Sequence, residues 1–522
     1  MPARRTSSTK PNSAKLADAL RVLRRLQDKH SGVVEGKELD DQVRTLLVET
    51  GFLRQVMKGW LICGNPKDLP GDTTAWYASY WAFLSGYLTK RFGKRYCLNP
   101  EASLLLHTGN TTVPGQVTAV AKETGVNVVK LPFDTQVLIY PDEKRVPKTR
   151  VEVRGLQVWP VAEALCLVPP QFFVNNAREV EIALAMVRDP SEILSTLLAG
   201  SGMPTPAARL AGALKFVGRD DDAAFLVNTM SAAGFSMSPK NPFTLGHPTL
   251  GPSRERSPYV LRIRSMWATW RQVVIDNFPP APGMPADIEA YLHEVEERYR
   301  SDAYNSLSIE GYQVSDDLIE RVARDGWDPE GNDEDNASKD AMAARGYFQA
   351  FGVVKKSLRR ILSGRNPGDV LKADHRQWHS ELFGPSVAAG ILKVHQLAGY
   401  RTGPIYIRNS MHTPPPREAL LDAMEELFRL LTEEPEASVR AVLGHHIFVF
   451  IHPYIDGNGR LGRFLMNAMM AAGAYPWTVV RVSRRREYMQ ALEAASVRGD
   501  ILPLTRFLAE EMQAEPETLR SP

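Results

Sequence analysis

The run His452-Pro-Tyr-Ile-Asp-Gly-Asn-Gly-Arg-Leu-Gly-Arg463 constrains this chain more than any other stretch. It lies between two apolar segments, Val439–Ile451 and Asn458–Ala472, that read as helices. The second segment opens on Gly457, Asn458 and Gly459. Unpaired backbone N–H groups and the positive end of the helix dipole therefore face outward at this point. Two positions without a Cβ let the chain turn tightly and let an anion come close. The loop is a phosphate cradle in the physical sense.

The neighbouring residues say what is done with the phosphates. Asp456 is a hard oxygen ligand of the kind Mg²⁺ takes alongside phosphate oxygens. Arg460 and Arg463 share a helix face and can grip outer phosphates. His452 carries an imidazole whose ordinary pKa, about 6.5, suits removal of a proton from a hydroxyl. A lone His-Pro or a single Gly-x-Gly is more often structural, because short motifs mislead. Here base, metal ligand, anion hole and clamp coincide in one loop, and the coincidence outweighs that prior.

At these residues the chain resembles the Fic family, whose signature is His-Pro-Phe-x-(Asp/Glu)-Gly-Asn-Gly-(Arg/Lys)-x-x-Arg. Tyr454 in place of Phe is the one departure, and it keeps an aromatic anchor. The resemblance implies transfer of AMP from ATP to a Ser, Thr or Tyr hydroxyl of a protein. It makes His452 the base, Asp456 the Mg²⁺ ligand and Gly457–Gly459 the anion hole. Asn458 and Arg460 would then bind the inner phosphates and Arg463 the γ-phosphate. Arg460, where the phosphorylating Doc branch typically has Lys, favours nucleotidyl transfer.

A chain of 522 residues suggests two to four domains. No run of about 18 apolar residues appears, so no membrane span or membrane partner is expected. The basic, polar start Met1–Lys10 lacks the apolar core of a secretory signal. Cys63, Cys97 and Cys166 stand at no metal-ligand spacing and fit a reducing, cytoplasmic setting as small packed hydrophobes. A net charge of +3 is too weak to argue nucleic-acid binding for the whole chain.

The fold expected is multidomain. A polar leader runs to about Ser13; Ala14–Lys29 and Val43–Thr50 read as helices, and Leu53–Cys63 as a hairpin around Lys58-Gly59. This outlines a winged-helix-like domain over 1–66, locally basic, with DNA as a candidate partner. An α+β region follows over 67–240, with a Trp/Tyr-rich helix Trp76–Leu88, strand-like runs Val126–Leu131, Gln136–Tyr140 and Arg150–Val158, and two short helices in Ala207–Gly234. On Gly51-Phe-Leu-Arg-Gln-Val-Met-Lys-Gly-Trp-Leu61 and Pro100-Glu-Ala-Ser-Leu-Leu-Leu-His107, the stretch Leu16–Phe235 resembles the AbiEi-like antitoxin and regulator group. His107, closing an apolar helix, reads as structural.

A linker over 241–258 leads into a mainly α-helical Fic domain over 259–522. Ile288, Leu292, Val295 and Tyr299 predict one helix, about 287–311, running into Ser306-Leu-Ser-Ile-Glu310-Gly311. In the family, (Ser/Thr)-x-x-x-Glu-(Gly/Asn) is inhibitory. Glu310 would pair with Arg463 and put a negative charge where the γ-phosphate must sit. Asn332–Asn336 reads as a solvated acidic loop, and Ala341–Leu362 and Lys372–Leu382 as core helices, with His375, Trp378 and His379 as packing and surface residues. Pro404-Ile-Tyr-Ile-Arg408 and the Pro-rich run to Pro416 alternate like a strand; by resemblance they form a short β-hairpin flap that holds the target, with Ile405 and Ile407 as contacts. Arg481–Arg486 reads as a solvated helix start, and Tyr488 as a candidate for the adenine side.

The expected function is a protein adenylyltransferase using ATP and Mg²⁺, restrained by Glu310. Its partner is a hydroxyl-bearing protein, itself included; a second copy of the chain is a further candidate. Two rivals stand beside it: removal of AMP by the same residues with Glu310 positioning water, and a DNA-binding antitoxin or regulator with a sensory Fic domain.

Overall fold

A computed structural model describes residues 13–30, 32–66, 71–122, 125–199, 203–243, 250, 257–324, 339–389, 392 and 399–514. The predicted leader over 1–12, the acidic loop Asn332–Asn336 and most of the predicted linker lie outside the described residues. The chain divides into two units: Met1–Phe243 with Tyr406–Thr413, and Thr244–Ile405 with Pro414–Pro522.

The first unit begins with helix α1 (Ser13–His30), strand β1 (Val33–Glu35), α2 (Asp41–Glu49), β2 (Leu53–Met57) and β3 (Trp60–Cys63). Gly59 at φ 83° makes the turn between β2 and β3, a backbone region closed to most L-residues. The antiparallel order is β1-β3-β2, and Ala19, Leu23, Val34, Leu47, Leu53 and Leu61 close its core. Strand β1 was not legible in the sequence: its three residues gain their place from pairing with Trp60–Ile62.

Helix α3 (Thr74–Phe92) buries Trp76, Tyr80, Phe83, Leu84 and Leu88, a stripe with helical spacing. Next come β4 (Tyr96–Leu98), α4 (Pro100–His107), β5 (Gln116–Ala121), β6 (Asn127–Lys130) and β7 (Gln136–Pro141), in a sheet ordered β4-β5-β7-β6 with β5 and β7 parallel. A hairpin, β8 (Val151–Val153) and β9 (Leu156–Val158), follows. Six helices complete the described residues of this stretch: α5 (Val161–Leu167), α6 (Pro170–Asn175), α7 (Ala177–Met186), α8 (Pro190–Leu197), α9 (Pro204–Phe216) and α10 (Asp220–Ala232). His107 rests its Nε2 2.7 Å from the Trp159 carbonyl, and burial lowers its pKa.

Tyr406–Thr413 belongs to this first unit. Arg408 Nε lies 3.3 Å from Asp72 Oδ2, the Asn409 N–H donates to Thr74 Oγ1, and the Thr413 N–H donates to the Thr111 carbonyl. The segment turns where the Ser410 N–H reaches the Ile407 carbonyl, with Asn409 at φ 57°. The expected β-hairpin is not there. Its arms form no ladder with each other, and the bridge recorded for it pairs His412 with Thr112. Pro404 and Pro414–Pro416 remove the N–H groups a two-armed ladder would need.

The second unit is helical among the described residues: α11 (Pro258–Asn277), α12 (Ile288–Glu297), α13 (Tyr299–Ile309), α14 (Asp316–Ala323), α15 (Lys339–Leu362), α16 (Pro367–Ala388), α17 (Leu420–Glu433), α18 (Ala437–Ile451), α19 (Asn458–Ala471), α20 (Arg485–Glu493) and α21 (Leu502–Gln513). The single helix expected over 287–311 is two, α12 and α13, joined at Arg298. Helix α18 is mostly apolar and is buried nearly throughout, Arg440, His445 and His446 included, so it lies at the centre of the bundle. Each fully buried Leu or Phe on α18 and α19 contributes about 1.5–3 kcal/mol over its exposed state. The signature loop is thus suspended between the two most deeply buried helices. Among the described residues no helix is long and apolar enough to cross a membrane.

Candidate active site

Helix α18 ends at His452, whose backbone adopts the left-handed conformation, φ 52° and ψ 60°, while its N–H still donates to the Phe448 carbonyl. For a residue with a Cβ this costs roughly 1–2 kcal/mol. His452 Nδ1 lies 3.1 Å from the Val449 carbonyl. A carbonyl only accepts, so Nδ1 carries the proton and Nε2 keeps its lone pair. Burial, with the positive charge of Arg401 beside it, pushes the imidazole down to about 4 against the pull of Glu310 and Asp456. The ring is neutral at neutral pH.

The loop then closes on itself. Asn458 Oδ1 accepts from the Tyr454 N–H at 2.9 Å, and Asn458 Nδ2 donates to the Tyr454 carbonyl at 2.8 Å. The Asn458 side chain is therefore spent on loop geometry, and what it turns towards an anion is its backbone N–H. Gly457 (φ 85°) caps α19, and the Leu461 N–H is the first to bond back along the helix, to the Gly457 carbonyl. The N–H groups of Asn458, Gly459 and Arg460 precede it, the ordinary situation at a helix start. Asp456 Oδ1 accepts from the Gly457 N–H, and its side chain is 64% exposed.

Glu310 occupies the space over this helix start. A Cβ on Gly459 would collide with Glu310 Oε1. The same Oε1 lies 2.7 Å from Arg463 Nη2. Arg463, 2% exposed, also donates from Nε to Ser306 Oγ and from Nη2 to the Ser306 carbonyl. Burial works against the Glu310 carboxylate, but Arg463, with Arg460 and Arg485, holds its pKa below the usual range. Glu310 is the C-cap of α13. There the Gly311 N–H bonds Ser308 and the Tyr312 N–H bonds Leu307, with Gly311 left-handed at φ 89°. Arg485 Nε adds a bond to the Ile309 carbonyl at 2.7 Å.

The same turn carries Tyr312 to Arg460. The Arg460 guanidinium, 1% exposed, lies between the rings of Tyr312 (5.2 Å) and Phe383 (5.0 Å). Its Nη2 is 3.6 Å from Asp456, and neither Nε nor Nη2 has a hydrogen-bond partner within the protein. A buried guanidinium with unspent donors beside a cradle that a Cβ would fill fits a polyphosphate. A lone exposed carboxylate beside it fits Mg²⁺, which keeps most of its ligands as water and phosphate oxygen. Among the described residues no group of three or more His, Cys, Asp or Glu could hold a metal without such help.

Sequence reasoning did not single out Tyr312, Phe383, Arg485 or Arg401 as site residues. Their partners are far along the chain, and no local pattern marks them. His379 stacks flat on Tyr454, ring centroids 3.9 Å apart, and so packs the aromatic anchor of the loop. Tyr488 is buried, its hydroxyl 2.7 Å from His445 Nε2 and its ring stacked with Phe507. Ile405 and Ile407 are partly exposed. Arg481 and Arg484, read as solvated, are paired to the buried Glu511.

Residues 370–470 match the family described as Fic/DOC. The chain is similar to the protein adenylyltransferase Fic of Drosophila yakuba, 30% identical over 225 residues, which cover 41% of this chain and 40% of the relative. The Nematostella vectensis protein of that name is 38% identical over 114 residues, 21% of this chain and 26% of the relative. The chain thus spans less than half the length of these curated relatives. Among solved structures it is similar to Caenorhabditis elegans Fic-1 at 18% identity and a TM-score of 0.36, over 67% of this chain and 88% of that one.

Proposed function

We propose that this chain is a protein adenylyltransferase that moves AMP from ATP to a protein hydroxyl and is restrained by Glu310. The observation that carries the reading is the Glu310 carboxylate, seated over Gly459 and paired with Arg463. A built cradle and a built clamp are both filled by one side chain of the same protein.

With Glu310 withdrawn, the N–H groups at the start of α19 receive the α-phosphate, and Arg460 and Arg463 hold the outer phosphates. His452 Nε2 accepts the proton of the protein hydroxyl. The hydroxyl oxygen forms a bond to the α-phosphorus, the bond from that phosphorus to the bridging oxygen breaks, and pyrophosphate leaves. Mg²⁺, held by Asp456, would supply charge neutralisation on the phosphates. Positioning and electrostatics do most of such work. ATP labelled at the α- or the γ-phosphate, given to Glu310→Gly with a lysate, tests the reading. Protein label from the α-position alone supports AMP transfer; label from the γ-position alone points to phosphorylation and overturns it.

A second reading is AMP removal with Glu310 orienting water. It is favoured by a carboxylate that is ionised, 30% exposed and beside the cradle. Release of AMP from a pre-modified protein by the wild type, lost in Glu310→Gly, would select it.

A further inference from the structure

Arg401 is 3% exposed, yet its hydrogen bonds run to backbone carbonyls of two separate stretches. Nε donates to His452 at 2.8 Å, and Nη2 reaches Pro415 at 2.5 Å and Ile451 at 3.5 Å. Nη1 donates to Gly403 at 3.1 Å, and the Arg401 backbone N–H donates to Pro453 at 2.8 Å. Ile451, His452 and Pro453 are the end of α18 and the start of the signature loop. Gly403 and Pro415 bracket the segment to which the family resemblance gives the target.

Resting on the transferase reading, we propose that Arg401 is a positioning residue that fixes the base and the two ends of the target-holding segment, at Gly403 and Pro415, through one guanidinium. The strained backbone of His452 needs something to hold it, and a planar fork with several donors meets carbonyls from both stretches at once. Its charge also sits at the end of α18, where the last carbonyls carry partial negative charge. Lysine, a single point donor, cannot span these acceptors.

Two readouts on the 522-residue chain test this. In the Glu310→Gly background, Arg401→Lys is expected to keep its unfolding temperature within a few degrees and its ATP affinity within twofold. Its labelling rate at saturating ATP should fall at least tenfold. Separately, the His452 imidazole is titrated by NMR in the wild type and in Arg401→Gln. The charged groups facing that ring are Arg401, Glu310 and Asp456. Removing the one cation among them should move the midpoint up from about 4. An unmoved midpoint overturns the proposal, as does full labelling by Arg401→Lys. If Glu310→Gly labels nothing, the transferase reading falls, and the NMR midpoint still decides whether Arg401 positions the base.

Discussion

Arg463 Nη2 stands 2.7 Å from Glu310 Oε1, and Ser306, one helical turn earlier, takes bonds from Nε and from the same Nη2. The clamp is thus gripped from two points, Ser306 within α13 and Glu310 at its C-cap. A carboxylate alone could swing away at little cost; a carboxylate that ends a fixed helical turn, beside a buried hydroxyl, moves only if the turn moves.

The Ser306 hydroxyl is therefore part of the latch. Ser306→Ala leaves Arg463 Nε buried without its acceptor, which costs about 1–3 kcal/mol. A lowered unfolding temperature and a several-fold rise in labelling over wild type are expected. Unchanged values for both would show that Glu310 holds alone.

Gly459→Ala separates the cradle from the latch. Its Cβ would take the place of Glu310 Oε1, and so also the place of a phosphate. In the Glu310→Gly background this change should weaken ATP binding at least tenfold by calorimetry without lowering the unfolding temperature, since Ala suits a helix better than Gly. Undiminished binding would place the phosphates elsewhere.

Tyr312→Ala uncovers one face of Arg460. Loss of a buried cation–π contact costs roughly 1–2 kcal/mol. The variant should label more than wild type and less than Glu310→Gly. Labelling no higher than wild type would make Tyr312 a packing residue only.

Acid should weaken the second unit. His375, His379, His445 and His452 are each pushed down to about 4, with burial the main cause. Between about 6.5 and 4 the unfolded chain binds protons at these sites and the folded chain does not, so stability falls as pH falls through that window. Asp302 runs the other way: burial raises it to about 6, so its contribution is lost as pH rises through that value. Four imidazoles outweigh one carboxyl. The unfolding temperature should drop from pH 7 to pH 5; a flat profile would contradict the buried neutral state of these rings.

Much of this was legible in the sequence because it is local. The spacing of Trp76, Tyr80, Phe83 and Leu84 marks α3, and Gly59 between two apolar runs marks a turn. The signature packs its chemistry into twelve consecutive residues. What was missed depends on distant pairing. Strand β1 exists through β3, and Arg401 meets carbonyls some fifty positions away. Tyr312 finds Arg460 through the turn that Gly311 permits. The expected hairpin failed for a local reason that alternation hid: prolines flank both arms.

The most direct test of the central claim compares wild type, Glu310→Gly and Glu310→Gly/His452→Ala with α-labelled ATP, Mg²⁺ and a lysate. Release of the clamp should raise protein labelling at least tenfold in the single variant, and loss of the base should abolish it in the double variant. Labelling absent from all three, or persisting without His452, would contradict a transferase held in check by Glu310.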